Sequence, residues 1–140
     1  MIPDVYVHNL ERRKGRLVIL RETHHLLRRF GQVEYVTLNS GEEVPFVLQE
    51  VADEIWSVIA GEVSTTLVDK REGSPSEDVS MQLALSETQP QAVLIPFGVA
   101  YQFKALQDSQ LIRISTHADG MHEADRVFSK DEINMIDSIT

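Results

Sequence analysis

Glu54-Ile-Trp-Ser-Val-Ile-Ala-Gly61, with its continuation through Glu62-Val63 to Asp69-Lys-Arg-Glu-Gly-Ser-Pro-Ser76, decides how this chain folds. Ile55, Val58 and Ile59 with Trp56 make a short apolar run rich in β-branched and aromatic residues, which reads as a strand. Gly61-Glu62 turns the chain, and Ser64 to Val68 reads as the returning strand of a hairpin-like pair. Asp69 to Ser76 is a polar loop closed by Gly73 and Pro75. The same grammar recurs in Ala92-Val-Leu-Ile-Pro-Phe-Gly-Val-Ala-Tyr-Gln-Phe103: strand, Pro-x-Gly turn, strand. Two such halves are expected to form two walls of one small β-barrel.

The flanking sequence extends the pattern. Met1 to Leu10 alternates as an edge or swapped strand would, with Val5 and Val7 against Tyr6 and His8. Leu17 to Leu20 and Gln32 to Leu38 read as strands, separated by one or two helical turns over Glu22 to Phe30. Pro45 to Val51 reads as a strand placed at an edge by its proline. Met81, Leu83 and Leu85 alternate with polar or small residues, and Tyr101 to Ala105 and Leu111 to Ser115 complete the set. Many short, evenly spaced strands broken by Gly and Pro imply an all-β jelly roll or barrel. Only the tail changes period. Ser129 with Glu132 is a capping-box pair, and Ile133, Ile136 and Ile139 recur at helical spacing, so a short C-terminal helix is expected over 129–140.

The chain has 140 residues, which fits one domain spanning 1–140. No stretch reads as a membrane span or a signal peptide. The absence of cysteine excludes a disulfide scaffold and any thiolate-ligated metal, and agrees with a cytoplasmic location. A net charge of −9 argues against nucleic acid as a partner. Residues 1–40 carry seven Lys and Arg against four acids, whereas residues 41–140 carry six against eighteen. The basic N-terminal third suits either a phosphate or partner contact or a solvated face.

The order Gly61-Glu62-Val63, then Asp69-x-Arg71-x-Gly73-Ser74-Pro75, then Ile95-Pro-x-Gly98-x-Ala100 with Phe103 resembles the dTDP-4-dehydrorhamnose 3,5-epimerase family of cupins. The similarity runs over residues 11–118. It implies a cupin-type jelly roll and a homodimer. The alternating strand Met1 to Leu10 has no obvious partner at the start of the chain and is expected to contribute to the interface. The resemblance also implies a nucleotide-linked keto sugar bound in the barrel mouth, with neither metal nor other cofactor. Proton movement beside a ketone needs a base, an acid and a group that holds the enolate oxygen. This chain departs from the family's set for that task. Where the family has Arg-Gly-Leu-His-x-Gln, the chain reads Val44-Pro-Phe-Val-Leu-Gln49. Glu54 stands where the family has Lys, and Tyr101 replaces the His that follows Ala100. The strand Leu111 to Ser115 carries no Tyr. Asn39 is kept, and Lys14 replaces an Arg.

Glu54 and Tyr101 are therefore the candidate acid–base pair, with Glu54 in a half-apolar cavity facing Tyr101 if its register points inward. The competing reading puts Glu54 on the outer face or in an ion pair. Trp56 shares its face as a candidate stacking platform, and Lys14, Asn39 and His117 are the remaining candidate ligand contacts. Glu54 and Gly61 have the spacing of a metal-binding cupin motif, but Gln49, Glu50 and Tyr101 stand where the histidines would be, so no metal site is expected. Adjacent His24 and His25 point to different faces and form no chelating pair. Two functions are consistent with these residues: an epimerase-like or isomerase-like enzyme with an altered site, or a non-catalytic module for ligand binding or protein interaction.

Overall fold

The computed structural model describes residues 2–21, 24–118 and the backbone of 126–128. Among them run twelve strands: β1 (Tyr6–Asn9), β2 (Glu11–Arg13), β3 (Arg16–Val18), β4 (Gln32–Leu38), β5 (Phe46–Leu48), β6 (Glu54–Ala60), β7 (Glu62–Asp69), β8 (Ser80–Ser86), β9 (Gln91–Ile95), β10 (Val99–Ala105), β11 (Ser109–Ser115) and β12 (Arg126–Phe128). Two five-stranded sheets, β1-β9-β6-β11-β4 and β12-β5-β10-β7-β8, form the two walls of a jelly roll, and β2-β3 is a separate hairpin. All pairings between these strands are antiparallel. The expected C-terminal helix lies outside the described residues. No described helix is long and apolar enough to cross a membrane.

The core lies between the walls and follows from strand alternation. Val63 and Leu67 of β7, Val93 and Ile95 of β9, Phe103 of β10 and Leu111 of β11 point inward and are at most 2% exposed. Strand β6 is buried on both faces from Glu54 to Val58. Its inner face meets the second sheet. The segment that follows β3 is tied to the chain just before β6, where Arg28 donates to the Val51 carbonyl at 2.9 Å and pairs with Asp53 at 3.5 Å.

Three expectations are corrected here. Strands β6 and β7 do not pair with each other: β6 bonds β9 and β11, while β7 bonds β8 and β10. Gly61 between them carries the chain from one wall to the other. It has φ +90°, and a Cβ there would stand 2.4 Å from the Asp108 carbonyl oxygen, so only glycine fits. Strand β5 is not an edge strand but lies between β10 and β12; Pro45 precedes the strand and removes no ladder bond from it. The helical turns expected after Arg21 fall partly outside the described residues, and 25–30 contains no helix. Strand β1 is an edge of the first sheet and pairs with β9 of its own chain.

The polar loop after β7 is built around one carboxylate. Asp69 is fully buried. It accepts from the Arg71 backbone N–H at 2.9 Å, Arg71 Nε at 2.9 Å, Arg71 Nη2 at 2.8 Å, Ser74 Oγ at 2.8 Å and Ser76 Oγ at 2.5 Å. Arg71 Nη1 reaches on to Asp4 at 2.6 Å and so ties the N-terminus to the loop. Burial alone would raise the Asp69 pKa, but donors from Arg71 and Ser76, the Arg71 backbone and Ser74 hold it well below the usual carboxylate range.

Because its folded pKa is depressed, Asp69 stabilises the fold above the unfolded carboxylate value, and the contribution fades as pH falls through the folded one. Asp69→Asn is expected to cost about 3 kcal/mol at neutral pH, which lowers Tm by roughly 10 °C. Below about pH 4 the gap between variant and wild type should narrow. Thermal unfolding from pH 7 to pH 3 checks this, and a Tm at pH 7 within a degree or two of wild type would contradict it.

Candidate active site

The polar residues inside the barrel gather where β6, β10 and β11 face one another. Glu54, Trp56 and Val58 project inward from β6, since Trp56 and Val58 belong to the core. Across the sheet, Glu54 pairs with Ser115 and Trp56 pairs with Arg113, so Arg113 stands one diagonal step from Glu54 on the same face. Arg113 Nε donates to Glu54 Oε2 in a short ion pair. Its Nη1 lies 3.8 Å from Glu34 of β4, and its guanidinium carbon lies 5.9 Å from the Trp56 ring centroid. Tyr101 enters from the opposite sheet. Its hydroxyl hydrogen-bonds with Glu54 and Gln49. Its ring meets Trp56 edge-on at 5.8 Å.

This cluster is nearly dry: Glu54 is 1% exposed, Arg113 and Tyr101 4%, and Gln49 and Trp56 7%. Burial, followed by the charge of Glu54, pushes the Tyr101 pKa well above that of a free phenol. Tyr101 is therefore a held proton and a hydrogen-bond donor at neutral pH. The arrangement unites a carboxylate, a protonated phenol and a fixed cation. Those are the parts that proton transfer beside a carbonyl uses. Glu54 thus meets both expectations set for it: it faces inward toward Tyr101, and it is ion-paired.

The other candidates fall in different places. Trp56 lies in the cluster. His117 is buried two residues beyond Ser115, at the same end of the sheet as Glu54. Its Nδ1 stands 2.8 Å from Thr116 Oγ1, and its backbone packs so closely on Gly31 that no Cβ fits there. Asn39 follows β4 at the far end of the sheet, since Leu38 pairs with Ser109 while Gln32 pairs with Ser115. A strand of that length separates Asn39 from Glu54 by roughly 20 Å. Lys14 sits at the turn of the β2–β3 hairpin, exposed and with φ 43°. Glu54, Tyr101 and Trp56 come together; Lys14 and Asn39 do not join them. Among the described residues, no three His, Asp or Glu side chains are grouped to hold a metal ion.

Arg113 is the residue that reading the strand for a missing tyrosine passes over. Its signal was present: Leu111, Arg113 and Ser115 share a face, so an inward Leu111 carries the cation inward with it. Gln49, which stands at the Gln of the family's Arg-Gly-Leu-His-x-Gln and in place of a metal-binding histidine, is a partner of Tyr101.

A family profile described as dTDP-4-dehydrorhamnose 3,5-epimerase matches residues 46–135. The chain belongs to this family. The spore coat polysaccharide biosynthesis protein SpsL of Bacillus subtilis (strain 168) is 29% identical over 93 residues, covering 66% of this chain and 62% of SpsL. The matched part thus spans less than two thirds of that relative. The crystal structure of dTDP-4-dehydrorhamnose 3,5-epimerase from Sulfolobus tokodaii has the same fold, with a TM-score of 0.79 and 22% identity over 92% of this chain and 79% of that one. The Legionella pneumophila epimerase solved with dTDP-4-keto-L-rhamnose gives a TM-score of 0.74 and 20% identity over 82% of this chain and 68% of that one.

Proposed function

We propose that this chain binds a nucleotide-linked 4-keto sugar in the barrel and moves a proton on a carbon next to the ketone. The observation that carries the reading is the inward cluster of Glu54, Tyr101 and Arg113 in a chain of the epimerase family. In the free protein Arg113 neutralises Glu54. When the sugar enters, its ketone oxygen takes over the guanidinium and leaves the Glu54 carboxylate facing the adjacent C–H bond. Glu54 accepts that proton as the electron pair moves onto the ketone oxygen, where Arg113 stabilises the enolate. Tyr101, kept protonated by its surroundings, donates to the carbon on return, and the proton held by Glu54 passes back to the tyrosinate through the hydrogen bond between them. Trp56 offers a ring face to the sugar. A nucleotide-sugar substrate supports a cytoplasmic location, and the proposed steps call on these side chains alone.

A second reading, a binding module without turnover, is favoured by one observation: Glu54 is 1% exposed and already bonded to Arg113. Buried pairs of this kind also serve simply to fix a unique core.

Solvent deuterium incorporation into a panel of dTDP-linked 4-keto sugars, followed by NMR, separates the two. Wild type is expected to exchange at least one carbon, and Glu54→Gln to lose about 100-fold or more of that rate while still binding. Binding without exchange selects the module. Failure to bind any member of the panel removes the family's substrate class from this chain.

We further propose a homodimer in which residues 1–10 take part. Among the described residues, strands β1 and β4 are the edges of the first sheet, and Tyr6, Val33 and Tyr35 on them are more than half exposed. Sheet edges invite pairing. Light scattering is expected to give the mass of two chains, reduced toward one when residues 1–10 are removed; a full-length monomer would contradict the proposal.

A further inference from the structure

The buried polar atoms without a hydrogen-bond partner among the described residues include two inside the barrel that have no place in the mechanism above. These two are the indole Nε1 of Trp56 and the hydroxyl of Thr65. Thr65 is fully buried and Trp56 is 7% exposed. Buried groups in native proteins are nearly always satisfied, so an orphan points to a guest that completes it. Leaving such a bond unmade costs about 1–3 kcal/mol for each group.

The two orphans come from facing sheets and meet at one residue. Thr65 points inward from β7 between Val63 and Leu67, and pairs directly with Phe103 of β10. The Trp56 ring lies 4.5 Å from the Phe103 ring. Neighbours paired across strands hold their side chains about 5 Å apart, so Thr65 and the Trp56 ring both neighbour Phe103. Phe103 is the next inward position along β10 from Tyr101, which places this spot beside the Glu54–Tyr101 cluster and deeper in the apolar core.

We propose that Trp56 and Thr65 form a subsite that reads one hydroxyl group of the bound sugar, an inference that rests on the nucleotide-sugar reading above. The chemistry of the pair selects the group. An indole N–H only donates, while a threonine hydroxyl both donates and accepts. Their joint complement is a group that accepts from one side and donates to the other, which a sugar hydroxyl does and a methyl or methylene does not. A site built to hydrogen-bond a hydroxyl rejects the analogue lacking it far more strongly than an apolar pocket distinguishes two alkyl groups. Water is the competing occupant, since it has the same donor and acceptor pattern.

Calorimetric titration of the full chain with dTDP, dTDP-glucose and the 2-, 3- and 6-deoxy forms of dTDP-glucose tests the assignment. Wild type is expected to bind one deoxy form at least about tenfold more weakly than dTDP-glucose. Thr65→Val, nearly isosteric, should bind dTDP-glucose as weakly as wild type binds that deoxy form, with no further loss on the deoxy form itself. Trp56→Phe should behave alike, and Thr65→Ser should keep the discrimination because it keeps the hydroxyl. Circular dichroism confirms that each variant is folded. If Thr65→Val leaves the whole series at wild-type affinity, the pair holds water and the proposal fails, as it does if wild type binds all the sugars equally. In both cases the nucleotide-sugar reading survives. If wild type binds no nucleotide sugar, that reading and this inference fall together.

Discussion

A carboxylate and a guanidinium placed between two apolar sheets must replace the water they lose with each other and with the polar groups around them. The Glu54–Arg113 pair is that case, and the interior of this barrel is arranged around it. Both ions are almost wholly buried, and Tyr101, Gln49 and Glu34 supply further polar contacts on its margins. Desolvating two such ions costs several kcal/mol each, which their attraction repays only with good geometry and further hydrogen bonds. Such a pair is poor value as a mere filler of space. In the proposed reading, a ligand oxygen takes the place of the carboxylate at Arg113.

The same packing logic separates the two polar centres of the molecule. Around Asp69, the acceptor is surrounded by donors from its own loop, and the result is a closed clasp that fixes the β7–β8 connection and the N-terminal segment. Around Glu54, the partners come from three strands far apart in sequence, and two neighbouring polar atoms, on Trp56 and Thr65, find no partner among the described residues. One centre draws its partners from its own loop and the N-terminal segment, and the other draws them across the barrel.

Much of the fold was legible because period-two alternation is a local property. Val63, Thr65 and Leu67, or Leu111, Arg113 and Ser115, announce a strand and its inner face without reference to anything else. What could not be read locally was which strands pair. Residues β6 and β7 flank a single glycine and look like a hairpin, yet β6 is buried on both faces and continues one wall while β7 begins the other. Pro45 suggests an edge, but it lies one residue before β5 and interrupts none of it. The site divided along the same line. Glu54 and Trp56 follow from the phase of one strand, and Tyr101 from the family frame around Pro96 and Gly98. The ion pair between Glu54 and Arg113 links positions that only the sheet register brings together. Lys14 and Asn39 came from the family pattern alone, and the sheet geometry places Asn39 at the far end of the barrel wall.

The most direct test of the account is a crystal structure of the chain with dTDP-4-keto-6-deoxyglucose. The account predicts the sugar ring inside the barrel, its ketone oxygen bonded to Arg113, and the Glu54 carboxylate turned from Arg113 toward the neighbouring carbon. A sugar bound outside the barrel, with Glu54, Arg113 and Tyr101 still bonded to one another, would contradict it.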